Sequence, residues 1–307
     1  MRLLLAESNP QIRKVLKTAF YAQGFRDIIE AGHYEQVREC VVRNLADVMV
    51  CDYSVPGGDI SDLVHSMRHH RCGNNPFVLV IGLVGRPTSE EVRRIISSGT
   101  DDLIVKPLSP EQVIDRIGNL VRGRKKFVVT HDYIGPDRRK EPRPGTMDTP
   151  LIEVPNPLRM KALGGNTDPS HLQRLIDSAA ARINEQKMES YAVQVIYLVE
   201  RIVEFYAVPG SDLNALVDNL QRLQFVGEDL SRRLRGTPLA HVSELALSLG
   251  AMCGRILERP TQPDERDLEL LGKLCQAINR AFSPEQRTAQ AALEISRSVA
   301  SYAKREG

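Results

Sequence analysis

Apolar positions in the first 122 residues fall into two kinds of run. Short continuous runs at Arg2–Ala6, Asp27–Ala31, Asp47–Cys51, Phe77–Leu83 and Leu103–Val105 have the length of strands buried on both faces. Residues 10–23, 33–44, 59–70, 88–98 and 109–122, between and after them, carry apolar positions at helical spacing. The last of these opens on Ser109-Pro110-Glu111-Gln112. An N-cap serine, a proline at the first helical position and a glutamine three residues on make a capping box. Five strand–helix units in alternation predict an α/β fold, a five-stranded doubly wound parallel sheet with helices on both faces.

Periodicity is lost between Gly123 and about Thr167, where Pro, Gly and Arg dominate. Arg124-Lys125-Lys126 opens this stretch and Tyr133-Ile134-Gly135-Pro136-Asp137-Arg138-Arg139-Lys140 stands at its centre. The composition predicts an extended linker with a short ordered core. Helical stripes return beyond Asp168: Leu172, Leu175, Ile176, Ala179, Ile183; Val195, Leu198, Val199, Ile202; Leu213, Leu216, Leu220, Leu223; Leu245, Leu249, Met252, Ile256; Leu268, Leu271, Cys275, Ile278; and a narrower Ala289, Leu293, Ser296, Val299. Six helices with short connections predict an all-α antiparallel bundle. The expected division is therefore 1–122, a basic Pro/Gly-rich linker over 123–167, and a helical domain over 168–307.

Charge changes the picture once it is divided along the chain. Lys and Arg outnumber Asp and Glu by 9 to 5 over residues 123–165, whereas residues 166–307 hold 17 against 19. A mildly acidic helical half argues against a DNA-binding output domain, which carries a clustered basic face. No stretch approaches the ~18 apolar residues of a membrane span, and Leu3–Ala6 is too short for a signal peptide, so a cytoplasmic protein without a membrane partner is expected. Five cysteines, Cys40, Cys51, Cys72, Cys253 and Cys275, are odd in number and lack metal-ligand spacing; reduced, packed thiols follow.

The candidate chemistry sits at the ends of three predicted strands. Val48-Met49-Val50-Cys51 runs straight into Asp52, followed by the turn residues Ser54, Pro56, Gly57 and Gly58; Glu7 follows Leu3–Ala6, and Lys106-Pro107 follows Leu103–Val105. Ligands of open parallel sheets collect at this edge. Two acids and a lysine there make a phosphoacceptor pocket, and on these residues the first 122 positions resemble the receiver domain of two-component response regulators, with its flavodoxin-like fold. The Tyr133–Arg139 motif is similar to one in proteobacterial receiver proteins that carry an uncharacterised helical C-terminal half.

The resemblance implies that Asp52 accepts a phosphoryl group from a histidine kinase or phosphotransfer protein and that Lys106 holds it. It implies Mg2+ bound by Asp52, by the pair Glu7-Ser8 and by the backbone carbonyl of Ser54. The output would be a downstream protein bound by the helical half, with no catalysis beyond autophosphorylation and dephosphorylation at Asp52. Four positions depart from the family pattern. Ser8 replaces a second acid, which weakens attraction for a dication; Val84 stands at the switch hydroxyl position and Leu103 at its aromatic partner; Ile60 stands where glycine is frequent. These departures support an alternative, a phosphorylation-independent pseudo-receiver adaptor. A receiver homodimer is common in the family, but no residue here demands it.

Three further sets carry less. His241 is set on a helix of the expected bundle, as in phosphotransfer domains, but Glu244 and Leu245 stand where those have lysine and glycine. His65, His69 and His70 lack a cysteine or carboxylate at tetrahedral spacing. Arg139-x-x-x-Arg143 is similar to an arginine pair that holds cyclic dinucleotides in β-barrel domains, but helix follows it here.

Overall fold

Five parallel strands, β1 (Arg2–Ala6), β2 (Asp27–Ala31), β3 (Val48–Asp52), β4 (Leu79–Val84) and β5 (Asp102–Val105), lie in the order β2-β1-β3-β4-β5. They alternate with α1 (Pro10–Ala22), α2 (Tyr34–Val42), α3 (Ile60–Arg68), α4 (Ser89–Ser97) and α5 (Pro110–Arg122). The doubly wound sheet is the one the apolar runs predict. This computed structural model describes residues 1–139, 150–162, 168–208, 210 and 212–283.

The period of two along each strand sorts the core into two layers. Leu3, Leu5, Val48, Val50, Leu79 and Ile81 face Leu16 and Phe20 of α1 and Val113 and Ile117 of α5. Leu4, Ala6, Met49 and Cys51 face Val37 and Cys40 of α2 and Leu63, Val64 and Met67 of α3. Caps set the helix starts. Ser109 and Gln112 exchange the two bonds of the capping box, and Asp59 accepts the Asp62 amide, so that fully buried Ile60 heads α3.

The segment after residue 122 is built into the same compact unit, which runs to Ile183. Its strands β6 (Phe127–Val129), β7 (Ile134–Pro136) and β8 (Leu151–Ile152) form an antiparallel sheet in the order β7-β6-β8, followed by α6 (Pro157–Ala162). Strands of two or three residues fall below the length at which alternation is readable. Phe127, Val129, Ile134, Ile152 and Val154 enclose a core of their own with Phe77 and with Ile176, Ala179 and Ile183. Leu158 of α6 is buried in the layer of α1 and α5, and Lys161 and Arg2 both hold buried Asp47.

The stripes at 172–183 and 195–202 belong to one helix, α7 (Pro169–Ala207), rather than two. No proline or glycine interrupts residues 170–207, so nothing breaks the backbone ladder while the apolar stripe changes face. The second unit, from Asn184, adds α8 (Leu213–Leu234), α9 (Ser243–Glu258) and α10 (Glu265–Ala281). Val195, Leu198, Ile202, Leu216, Leu220, Leu223, Leu249, Ile256, Leu271 and Ile278 form its core. Gly227 and Gly250 let α8 and α9 meet at backbone distance: a Cβ on Gly227 would stand 2.7 Å from the Ala246 carbonyl. The stripe at 289–299 lies outside the described residues.

All five cysteines are unpaired, four of them buried. Burial pushes the Cys40 thiol up to about 11 and that of Cys253 up to about 12, as expected for packed thiols.

Candidate functional site at the carboxyl edge of the sheet

Parallel pairing of β3 with β1 and β4 aligns three strand ends, and the chemistry-bearing residues sit on them or immediately after. Asp52 is the last residue of β3 and only 2% exposed; Glu7 follows β1 and is 1% exposed. Lys106 follows β5 before a cis Lys106-Pro107 peptide. Its ammonium donates to Glu7 Oε2 at 2.7 Å and to Asp52 Oδ2 at 2.8 Å. Burial acts to lower the Lys106 pKa, but the hydrogen bonds and charges of Asp52 and Glu7 outweigh it and hold the value above that of a free lysine. Two buried carboxylates thus share one ammonium.

The other carboxylate oxygens are also engaged. Asn9 donates its amide to Glu7 Oε1 at 2.9 Å, while Asn9 Oδ1 caps α1 by accepting from Gln11 and Ile12. Ser54 donates twice to Asp52 Oδ1, from its amide at 3.0 Å and from its hydroxyl at 2.8 Å. A cleft of about 380 Å³ opens over Asp52, lined by Ser54, Asp59, Val84, Arg86, Glu91 and Arg94 among others.

The donor set suits a hydrated hard cation rather than a closed cage. Magnesium takes one or two carboxylates and keeps waters. Glu7 Oε1, Glu7 Oε2 and Asp52 Oδ2 each accept one bond in the structure and retain a lone pair. Ser8 is exposed and neutral. Among the described residues no group of three or more His, Cys, Asp and Glu is placed to hold a metal, His65, His69 and His70 included. His65 and His69 stack at 4.0 Å instead.

Three features of this region escaped the sequence reading. Val84 ends β4 as expected and Leu103 is the second residue of β5, but the aromatic ring beside the pocket is Tyr53, the neighbour of Asp52. Its hydroxyl is bonded to Thr100 Oγ1, and a Cβ on Gly82 would lie 2.8 Å from its ring. Second, Arg68 is fully buried and donates to Gly99 O at 3.0 Å, Val78 O at 2.9 Å and Asp101 Oδ2 at 2.9 Å, and also to Pro76 O. Arg124, at the head of the presumed linker, grips the same carboxylate at 2.9 and 3.1 Å. Third, Arg138 of the Tyr133–Arg139 motif donates to the Thr100 carbonyl. A glycine in β4 and an acid after Gly99-Thr100 were the available signals.

The remaining candidates belong to other elements. His241 is exposed on a 3₁₀ turn, Ala240–Val242, before α9 rather than on a bundle helix. Arg139 pairs with Asp137, and Arg143 lies outside the described residues.

Residues 3–118 match the family described as response regulator receiver domain. Among curated proteins, the chain is 29% identical over 128 residues to the transcriptional regulatory protein AruR of Pseudomonas aeruginosa, covering 39% of this chain and 49% of that protein. It is 29% identical over 122 residues to the phosphate regulon transcriptional regulatory protein PhoB of Escherichia coli, covering 39% and 52%. The chain therefore spans about half the length of these relatives. Among solved structures, the receiver domain of the Francisella response regulator 1452 is 27% identical, with 39% of this chain and 94% of that one covered and a TM-score of 0.35. A signal receiver domain from Bermanella marisrubri is 21% identical, covering 39% and 97%, with a TM-score of 0.34.

Proposed function

We propose, from the premise that residues 3–118 are a response regulator receiver domain, that Asp52 accepts a phosphoryl group from a partner histidine kinase or phosphotransfer protein. The observation that carries this reading is the Lys106 ammonium, bonded at once to Asp52 and Glu7. A lone pair of the Asp52 carboxylate attacks phosphorus, the P–N bond of the phosphohistidine breaks with its electrons returning to the imidazole, and an acyl phosphate forms. Lys106 sits on Oδ2 of that carboxylate. Lys106 passes from that oxygen to the phosphoryl group and holds its charge. Glu7, Asp52 and the Ser54 carbonyl would hold magnesium, which when bound neutralises charge on the phosphoryl oxygens.

In this reading the phosphoacceptor pocket belongs to residues 1–122, the strands of 123–167 and the start of α7 to Ile183 pack in the same unit, and the helical half of 168–307 binds a downstream protein rather than DNA. The relatives' names describe transcriptional regulators, but their matches cover 39% of this chain. What supports a protein partner is the acidic balance of residues 166–307. No helix among the described residues is long and apolar enough to cross a membrane. The reading is of a cytoplasmic regulator whose only own chemistry is at Asp52. The second reading, a pseudo-receiver adaptor, draws on neutral Ser8 and on Val84, which has no hydroxyl for a phosphoryl oxygen.

Beryllofluoride, a mimic of the aspartyl phosphate, separates the two. Saturable, magnesium-dependent binding to the full chain that Asp52→Ala abolishes is the expected result. No binding at millimolar magnesium overturns phosphorylation and leaves the adaptor.

A further inference from the structure

Val84 and Leu103 provide neither hydroxyl nor ring, so if the state of the pocket is to leave it, some other contact must carry it. Tyr53 is placed to do so. It is covalently next to Asp52, and its amide donates to Leu83 O at 2.9 Å on β4. Its side chain crosses the space left by Gly82 and bonds Thr100 in the turn before β5.

The turn 98–101 has no slack on its far side. Thr100 Oγ1 also meets Ser98 Oγ at 3.1 Å, Ser98 bonds back to Ile95 O at 2.7 Å, and Thr100 is 0% exposed. The Thr100 carbonyl accepts from Arg138, which approaches Asp101 O at 3.4 Å as well. Gly99 lies against β7 so closely that a Cβ there would stand 2.5 Å from Ile134 O, and one on Gly135 would stand 2.8 Å from Gly99 Cα. Packed contacts of this kind respond by stepping between arrangements rather than by deforming smoothly.

We propose that Tyr53 and Thr100 couple the Asp52 pocket to the three-stranded sheet β7-β6-β8, with Arg138 as the receiving side chain, so that this sheet is the element the receiver moves. Tyr53 is a positioning residue, with no part in the transfer itself. The proposal rests on the phosphoacceptor reading for its natural trigger, but the coupling is a property of the contacts.

Hydrogen exchange of the full-length chain tests it, with peptides over 98–101 and 127–138 followed with and without magnesium and beryllofluoride, and with occupancy read separately by a binding isotherm. Saturating the pocket is expected to change exchange in 127–138 by about fivefold or more, the lower end of ordinary site-to-site coupling. Tyr53→Phe, which removes only the hydroxyl, is expected to bind beryllofluoride within about threefold of wild type and to cut the response at 127–138 to below about twofold; Arg138→Gln is expected to do the same. An unchanged response in both variants, or no response at 127–138 in a saturated wild type, overturns the coupling. If wild type takes no beryllofluoride, the phosphoacceptor reading fails, and the coupling is then judged on Asp52→Asn alone. Altered exchange at 127–138 in that variant, absent when Tyr53→Phe is added, sustains it, and unaltered exchange overturns it.

Discussion

The Lys106 ammonium donates to Asp52 Oδ2 at 2.8 Å while also serving Glu7, so one positive charge balances two buried carboxylates. The two ways of disturbing this balance have opposite effects. Asp52→Asn leaves a one-to-one Glu7–Lys106 pair and is expected to keep the stability of wild type or exceed it by about 1 kcal/mol, with phosphorylation lost. Lys106→Ala leaves two buried carboxylates without their shared cation and is expected to cost about 3 kcal/mol. Urea unfolding of both variants measures the difference, and equal destabilisation by both would contradict the charge balance.

The same group sets an alkaline limit. Burial acts to lower the Lys106 pKa, yet Asp52 and Glu7 raise it overall. A base with a raised folded-state pKa contributes stability that is complete below its unfolded value, about 10.4, and is lost as pH rises through the folded value. Wild type and Lys106→Gln are therefore expected to differ by a constant amount from neutral pH to about pH 10 and to converge above it. Unfolding midpoints across that range check the sign.

Ser8 follows Glu7 and is exposed and neutral where a second acid would strengthen a magnesium site. Ser8→Asp is expected to raise magnesium affinity about tenfold, about 1.4 kcal/mol, and to lower the stability of the metal-free protein, because a third carboxylate joins one lysine. Titration with magnesium chloride followed by calorimetry gives the first quantity and thermal melting the second. An unchanged affinity would mean that position 8 does not face the ion.

Much of the receiver was legible because its signals are local. The runs Val48–Cys51 and Leu3–Ala6 are long enough to read as strands, and Asp52, Glu7 and Lys106 follow strands whose parallel order brings their ends together. What was not legible depends on pairs far apart in sequence. Arg68 and Asp101, 33 residues apart, form a buried ion pair that Arg124 completes; no pattern on α3 marks an arginine as interior. Tyr53 reads as an ordinary turn neighbour until Gly82 is seen to make room for its ring. The three-stranded sheet escaped for a different reason: Phe127–Val129 and Ile134–Pro136 are only three residues each, and their partners lie on other elements.

That sheet offers a test at Gly135. A Cβ at this position would stand 2.5 Å from the Tyr133 hydroxyl and 2.8 Å from Gly99 Cα, and backbone cannot give way as a side-chain tip can. Gly135→Ala is expected to destabilise by about 2–3 kcal/mol through overpacking and to release the Tyr133 hydroxyl from Pro136 O, which it now meets at 2.9 Å. A wild-type urea midpoint would show that β7 does not press on the turn.

The end of the receiver's folding unit makes the sharpest prediction. A chain stopped at residue 122 loses Arg124, which donates to Asp101 and to the Phe77 and Pro155 carbonyls, and loses Phe127, whose ring packs edge-on against fully buried Phe77 at 5.9 Å. It also loses Leu158 from the layer under α1 and α5, and Lys161 from Asp47. Burying one such aromatic or aliphatic side chain contributes about 1.5–3 kcal/mol, and a buried carboxylate deprived of one of its cations adds to the loss. Residues 1–122 are therefore expected to unfold at least about 3 kcal/mol more easily than residues 1–183, with Phe77 newly open to solvent. Comparing the two by urea denaturation decides it. Equal stability would mean that the strands after residue 122 sit on a receiver already complete without them, whereas the predicted loss would make residues 123–183 part of its core.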